Sequence, residues 1–166
     1  GFITNNSISS TGGGNIQITA TCTLATAGTG SGSGVYLQSG GSLSTTGNGT
    51  ITVIGTGSSI SGAASQGVVI QSGSGGLTTV NGAISVAGNM PGGSQTSVGV
   101  LLAATNSLKS TTGAINVSGT SSASGANSRG VSIVSSWTTG TTGTVTFGSS
   151  ITDGTTTIAG CIGGPG

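Results

Sequence analysis

The chain has 166 residues, a length typical of one domain, and only 2% of them are charged. The charged residues are Lys109, Arg129 and Asp153, there is no histidine, and the formal net charge is +1. Two isolated cations do not form the basic patch that binds nucleic acid. No apolar run approaches the ~18 residues of a membrane-spanning helix. The composition therefore predicts neither a nucleic-acid partner nor a membrane span.

A disordered linker is one interpretation of a chain that contains 36 glycines among many serines and threonines. Hydrophobic residues nevertheless make up 32% of the sequence, and they are β-branched and periodic. Disordered segments usually contain few such residues. The sequence therefore predicts a folded chain with a polar, uncharged surface.

The chain repeats itself with a period of 31 to 33 residues. A glycine followed by an apolar residue begins the five repeats, at Gly1, Gly34, Gly67, Gly99 and Gly130. This period is typical of a solenoid, in which each turn, or rung, buries its apolar face against neighbouring rungs. We therefore predict a single solenoid domain over residues 1–166, with a tail at 160–166.

Each repeat contains three short β-type segments, and in the first and third the apolar residues are two positions apart, on one face of a strand. The pairs of the first segment are Val35 and Leu37, Val68 and Ile70, Val100 and Leu102, and Val131 and Ile133. The second segment has one apolar anchor, at Ile8, Leu43, Leu77, Leu108 and Trp137. The pairs of the third segment are Ile16 and Ile18, Ile51 and Val53, Ile84 and Val86, Ile115 and Val117, and Val145 and Phe147.

Glycines recur at two fixed places in the repeat. One stands two residues before every third segment, at Gly14, Gly49, Gly82, Gly113 and Gly143. It predicts a corner where φ is positive or where a side chain would collide with the next rung. Another glycine follows the third segment in four repeats, at Gly55, Gly88, Gly119 and Gly148.

Three strands in each turn of about 32 residues, with Val, Ile and Leu pointing inward, predict an all-β fold. We expect a right-handed parallel β-helix, or β-solenoid, of about five rungs. Glycine, serine and threonine disfavour helix interiors. An antiparallel sandwich would also have short strands, but it gives no reason for the same ordered triplet to recur.

The repeats resemble the rungs of bacterial filamentous haemagglutinin-like and β-strand-repeat surface exoproteins. The segments that carry this resemblance include GVYLQSGGSL at 34–43 and GTITV at 49–53. The resemblance extends over nearly the whole chain. It implies secretion and a cell-surface or fibrous role, and it carries over no catalytic residues.

The two ends of the stack determine how it would associate. Solenoids normally cover an exposed end with a polar cap or helix. Here the first repeat starts at once with Phe2, and the last runs into 160–166 without a recognisable cap. Two interpretations stay open: copies stack head to tail into a filament, or the rungs of a longer solenoid cover both ends.

An apolar row is predicted on the outside of the first strands. If Val35 and Leu37 point inward, the residue between them points outward. The corresponding row is Ile3, Tyr36, Val69, Leu101 and Ser132. An apolar stripe of this kind indicates either a lateral contact or a face covered by a loop.

Missing residue types argue against an enzyme. Glycoside hydrolysis normally requires two carboxylates, and the chain has one, Asp153. A nucleophilic triad requires a general base, and there is no histidine. A zinc site needs about four Cys, His or carboxylate ligands. We therefore predict no enzymatic activity, no metal and no cofactor.

The two cysteines, Cys22 and Cys161, lie in the first and last repeats. Rungs stack ~4.8 Å apart, so four rungs separate them by ~19 Å, beyond the ~7 Å Cα limit of a disulfide. They are therefore expected either to be free thiols or to bond neighbouring molecules in an oxidising compartment.

The predicted function is that of a secreted structural protein, extracellular or at the cell surface, which stacks head to tail into a filament or fibre. Its partners would be further copies of itself and, at a surface, glycans or other cells. The alternative is an excised segment of a large surface adhesin.

Ice binding is a further alternative, because flat threonine-rich solenoid faces suit it. The threonine pairs are Thr45-Thr46, Thr78-Thr79, Thr111-Thr112 and Thr138-Thr139, together with the run from Thr19 to Thr23. They do not form a strict Thr-x-Thr ladder in every rung. Threonine is also common on the solvent face of ordinary strands.

Overall fold

The computed structural model describes residues 1–23, 32–59, 65–92, 97–122, 128–134, 143–152, 157–159 and 162–163. These residues form strands and turns, with three strands in each complete rung and about four turns of parallel β-solenoid. The all-β solenoid predicted from the repeat period is thereby confirmed.

The strands follow the rungs in chain order. The first rung contains β1 (Phe2–Thr4), β2 (Ser7–Ser10) and β3 (Ile16–Thr21). The second contains β4 (Val35–Leu37), β5 (Ser42–Thr45) and β6 (Ile51–Thr56). The third contains β7 (Gln66–Ile70), β8 (Gly76–Thr79) and β9 (Ile84–Met90), and the fourth contains β10 (Val98–Leu102), β11 (Leu108–Ser110) and β12 (Ile115–Ser121). The last strands are β13 (Arg129–Ile133), β14 (Val145–Thr152), β15 (Thr157–Ala159) and β16 (Ile162–Gly163).

Three sheets run along the stack. The first sheet has the order β1-β4-β7-β10-β13-β16, the second β2-β5-β8-β11, and the third β3-β6-β9-β12-β14-β15. All pairs are parallel except β14 with β15, which is antiparallel. Trp137, the predicted anchor of the fifth repeat, lies outside the described residues.

Equivalent residues of successive rungs lie directly above one another. Val68 of β7 pairs with Val35 on one side and Val100 on the other, and Ile84 of β9 pairs with Ile51 and Ile115. Because side chains alternate between the two faces of a strand, this register turns every period-two apolar pair into a column inside the solenoid.

The core consists of these columns. The buried members of the predicted ladder are Val35, Leu37, Ile51, Val53, Val68, Ile70, Ile84, Val86, Val100, Leu102, Ile115, Val117 and Val131. Ile133 is half-buried and packs against them. The anchors Leu43, Leu77 and Leu108 close the core on the second sheet.

Four of the five corner glycines, Gly49, Gly82, Gly113 and Gly143, are required by close approach of backbones rather than by positive φ. None of the five has a φ in the left-handed region. A Cβ at Gly82 would overlap the carbonyl oxygen of Gly49, and a Cβ at Gly113 would overlap that of Gly82. At Gly14, in the first rung, a Cβ would meet only the Ser10 side chain at 2.7 Å. From the second rung onward, each corner therefore rests on the corner of the preceding rung.

Three of the glycines after the third segment, Gly55, Gly88 and Gly119, have a related role that the repeat pattern alone did not assign, whereas a Cβ at Gly148 would meet no atom within 4 Å. A Cβ at Gly55 would overlap the carbonyl of Gly67, and a Cβ at Gly88 would overlap that of Gly99. The backbones of the third and first sheets touch there. Beyond this contact lie further buried residues: Ser58, Ser65, Met90, Ser97, Ser121 and Ser128. The recurring Ser-x-Gly before the first strand, at 65–67, 97–99 and 128–130, is the signal that could have predicted them.

The outward row of the first sheet is only partly exposed. The exposed fraction of Ile3 is 57%, whereas that of Val69 is 4% and that of Ser132 is 3%. Tyr36 and Leu101 are half-buried. The row is therefore not a continuous apolar stripe open to solvent.

Val68→Asp is expected to prevent folding. Val68 is fully buried between Val35 and Val100, so a carboxylate there would be desolvated without a partner. We expect the free energy of unfolding to fall by about 4 kcal/mol or more. Circular dichroism during urea denaturation measures it. Ser44→Asp, on an outward position of β5, is the control, and equal stability of the two variants would refute the inward assignment of β7.

Gly82→Ala tests the corner contact. The added methyl group would overlap the Gly49 carbonyl, so we expect the variant to lose about 2 kcal/mol or more of stability. Gly148→Ala is the matched control, because a Cβ there has no atom within 4 Å. The control should be neutral or stabilised by up to about 1 kcal/mol. A Gly82→Ala variant with the same unfolding temperature as the wild type would contradict close stacking at the corner.

Candidate functional site

The charged residues and cysteines do not form a reactive cluster in the part of the chain that the structure describes. Lys109 is exposed on β11, Arg129 is half-buried at the start of β13, and Cys22 is a half-buried free thiol. Asp153 and Cys161 lie outside the described residues. Within the described ranges, no three His, Cys, Asp or Glu side chains come together as metal ligands would.

The described segments contain no helix that is long and apolar enough to span a membrane.

Within the described residues the threonine pairs do not build a threonine face, and the pair Thr138-Thr139 lies outside those residues. In two of the pairs, one hydroxyl group points inward. Thr45 Oγ1 donates to the carbonyl oxygen of Gly49 at 2.6 Å, and Thr79 Oγ1 donates to that of Gly82 at 2.6 Å. Both side chains are buried. These threonines therefore hold the corner glycines in place, and the outward position on β11 is taken by Lys109.

The first rung presents an open edge. Phe2, Ile16 and Ile18 are half-buried, whereas their counterparts in the second rung, Val35, Ile51 and Val53, are buried. β1, β2 and β3 each have one neighbouring strand in the described structure, on the side of the second rung.

The backbone of β1 has hydrogen-bonding groups on its open side. Phe2 N donates to Gly34 O at 2.8 Å, and Gln38 N donates to Thr4 O at 2.8 Å. Alternate residues of a parallel strand bond to the same neighbour. The N–H and C=O of Ile3 therefore point away from the second rung, toward the position that a preceding rung would occupy.

At the other end of the described stack, the last strands do not simply repeat the arrangement of the earlier rungs. β15 lies antiparallel on β14, with Ile158 opposite Ile151. β16 pairs in parallel with β13, so the first sheet continues in its usual direction. The segment after β14 thus supplies a reversed strand to the third sheet and a parallel strand to the first.

The outer face of the third sheet lies on the longest strands of the described solenoid. It consists of alternate residues of β3, β6, β9, β12 and β14 that point away from the core, and we call it the third-sheet outer face. Pairing arranges them in three columns, which are Gln17, Thr52, Ser85, Asn116 and Thr146; Thr19, Ile54, Ala87, Ser118 and Gly148; and Thr21, Thr56, Asn89 and Thr120. All are uncharged.

Polar side chains of adjacent rungs bond to one another outside the core. Thr120 Oγ1 donates to Asn89 Oδ1 at 2.7 Å on the third-sheet outer face, and Ser42 Oγ donates to Ser7 Oγ at 2.8 Å on the second sheet. These bonds tie successive rungs together without charge.

The fold and its surfaces define the class: the chain is a parallel β-solenoid repeat protein. No protein-family model, curated protein or solved structure matches it.

Comparing Thr79→Val with Thr78→Val distinguishes a threonine that supports the corner from one on the surface. Thr79→Val removes the 2.6 Å bond to Gly82 O, which also accepts a bond from Ser110 Oγ at 3.1 Å. Because the carbonyl keeps that second donor, we expect a loss of about 1 kcal/mol. Thr78→Val, one residue away and pointing outward, should change stability by less than about 0.5 kcal/mol. Urea denaturation measures both, and a larger effect at Thr78 would overturn the inward role of Thr79.

Proposed function

We propose that the chain is a secreted structural protein whose solenoids stack end to end into extracellular filaments. The observation that carries the proposal is that Phe2, Ile16 and Ile18 are half-buried on β1 and β3, whereas their counterparts in the second rung are buried between two rungs. An exposed strand edge is a template for another strand. A further parallel rung, supplied by another copy, would bury these side chains as later rungs bury Val35 and Ile51.

The strands at the joint between two copies would pair in parallel in the first sheet and antiparallel in the third. In the first sheet, β1 of one copy would follow β16 of the next in parallel. In the third sheet, β3 would meet β15, whose direction is reversed relative to β14. A contact that joins two different ends is heterologous, and when its rotation does not close a ring it produces an open fibre.

A segment of a larger surface adhesin is the second candidate. The resemblance of the rungs to haemagglutinin-like and β-strand-repeat exoproteins supports it, and it would place glycans or other cells among the partners. In that arrangement the rung over β1 belongs to the same polypeptide. In both cases the role is mechanical and depends on contact, as expected of a chain with one carboxylate and no histidine.

Ice binding is less well supported than either candidate. The inward hydroxyls of Thr45 and Thr79 and the exposed Lys109 leave the second sheet without a flat threonine face. On the third-sheet outer face, Ile54 and Ala87 interrupt the hydroxyl pattern.

Ile3→Pro is expected to abolish filaments while leaving the single chain folded. The N–H of Ile3 faces the open side, and proline is tolerated on a strand edge that lacks a partner. The substitution would remove one hydrogen bond from the joint, and the pyrrolidine ring would occupy the space that the neighbouring copy needs. We expect the filament mass to fall about tenfold or more. Negative-stain electron microscopy, with circular dichroism as the folding check, measures this.

Ile3→Val keeps the N–H and is the matched control. Filaments in Ile3→Pro at the wild-type level would contradict a joint at β1. A wild-type chain that stays dispersed at every concentration would refute the filament and favour the adhesin segment.

Imaging with and without reductant also tests an intermolecular bond between Cys22 and Cys161, because such a bond would make the filaments sensitive to reduction.

A further inference from the structure

The third-sheet outer face has a projecting side chain in one rung and a recess beside it in the next rung. In its middle column, Ile54 of the second rung projects, with an exposed fraction of 39%. Directly beside it in the third rung lies the much smaller Ala87. Two shallow depressions, of about 160 Å³ and about 240 Å³, flank Ala87 and are both bordered by Ile54 and Ser118. A projection and a recess therefore lie side by side, one rung apart.

We propose that this face binds the same face of a second copy, about a two-fold axis that runs parallel to the strands between the second and third rungs. That rotation keeps the position along each strand and exchanges the second rung with the third, and the first with the fourth. Ile54 then lies opposite the partner's Ala87, and Ala87 lies opposite the partner's Ile54. Such an interface is isologous, because each contact occurs twice.

The same rotation matches the polar columns. Thr52 would face the partner's Ser85, and Thr56 would face the partner's Asn89. In the outer rungs, Gln17 would face the partner's Asn116, and Thr21 would face the partner's Thr120. Hydroxyl and amide groups both donate and accept hydrogen bonds, so each of these pairs can be satisfied without charge. Apolar groups thus meet at the centre and polar groups meet around them, as in specific interfaces generally.

The other possible two-fold axis, parallel to the stack, fits less well. It would place Ile54 opposite the partner's Ile54 and Ala87 opposite the partner's Ala87. Two projections would then hold the sheets apart, and the recess at Ala87 would stay unfilled. Close-packed interfaces do not leave such gaps. The relief of the face therefore selects the axis parallel to the strands.

Charge and area set the strength of this pairing. A net charge of +1 gives little repulsion between copies. Four rungs of ~4.8 Å and six residues of ~3.3 Å give a contact plane of about 400 Å² per copy. Their sum, about 800 Å², is below the ~1,200 Å² of stable complexes, so the isolated pair should be weak. In the filaments proposed above, repetition of the face along two fibres would strengthen it.

Ala87→Lys tests the proposal on the single chain, independently of filament formation. Sedimentation velocity of the full chain in reductant, over a concentration series, measures self-association. To exclude end-to-end joints, the series uses the Ile3→Pro background. We expect a concentration-dependent dimer that Ala87→Lys weakens about tenfold or more, because the ammonium group would fill the recess and be desolvated.

Ser44→Lys is the matched control. Ser44 lies outward on the second sheet, in the column that continues through Thr78 to the natural Lys109. It should dimerise like the parent chain. Ile54→Thr removes the projection but keeps a β-branched residue, and it should weaken the dimer even if Ala87→Lys does not fold.

Three results would overturn the pairing. One is a parent chain that stays monomeric throughout the series, and another is a dimer that neither Ala87→Lys nor Ile54→Thr weakens. The third is a monomer with thermal hysteresis that Ala87→Lys abolishes, which would assign the face to ice. Failure of filament formation by the wild type would leave the dimer measurement unaffected, so the two proposals fail separately.

Discussion

The structure depends on one constraint, which is that successive rungs stack in register at the distance of a parallel β-sheet. At the corners this spacing brings the backbone of Gly82 against that of Gly49, and the backbone of Gly113 against that of Gly82. No side chain fits between them. The same register places Val68 between Val35 and Val100, so the core columns and the corners arise from one geometry.

Stability without charge follows from how polar groups are used within this geometry. Some hydroxyls point inward and bond to the corner carbonyls, as those of Thr45 and Thr79 do. Others bond across rungs on the outside, as Thr120 does to Asn89. The first kind of bond acts within a rung and the second between adjacent rungs, so stability is approximately a sum over rungs and interfaces. An additional rung at an open edge extends the same interactions.

The two proposed contacts use different groups of the same stack. The joint at β1 would use backbone groups and the half-buried side chains of the first rung, whereas the third-sheet outer face would use side chains alone. Backbone pairing is strong and does not depend on sequence, so it suits growth along the stack. Contact through the side chains of the third-sheet outer face is specific, but it is weak between two short solenoids. It therefore suits association between long stacks, in which the contact is repeated many times.

The sequence by itself determined the fold class, the rungs and the inward residues, because a period of 31 to 33 residues and a period of two within strands leave few other arrangements. It also determined that corners need glycine, but not why. Only the tertiary structure decided that backbone overlap rather than positive φ excludes a side chain there, that Thr79 points inward, and that β15 reverses on β14. It alone set Ile54 beside Ala87, since these residues are 33 positions apart in the chain and become neighbours through the register of β6 on β9.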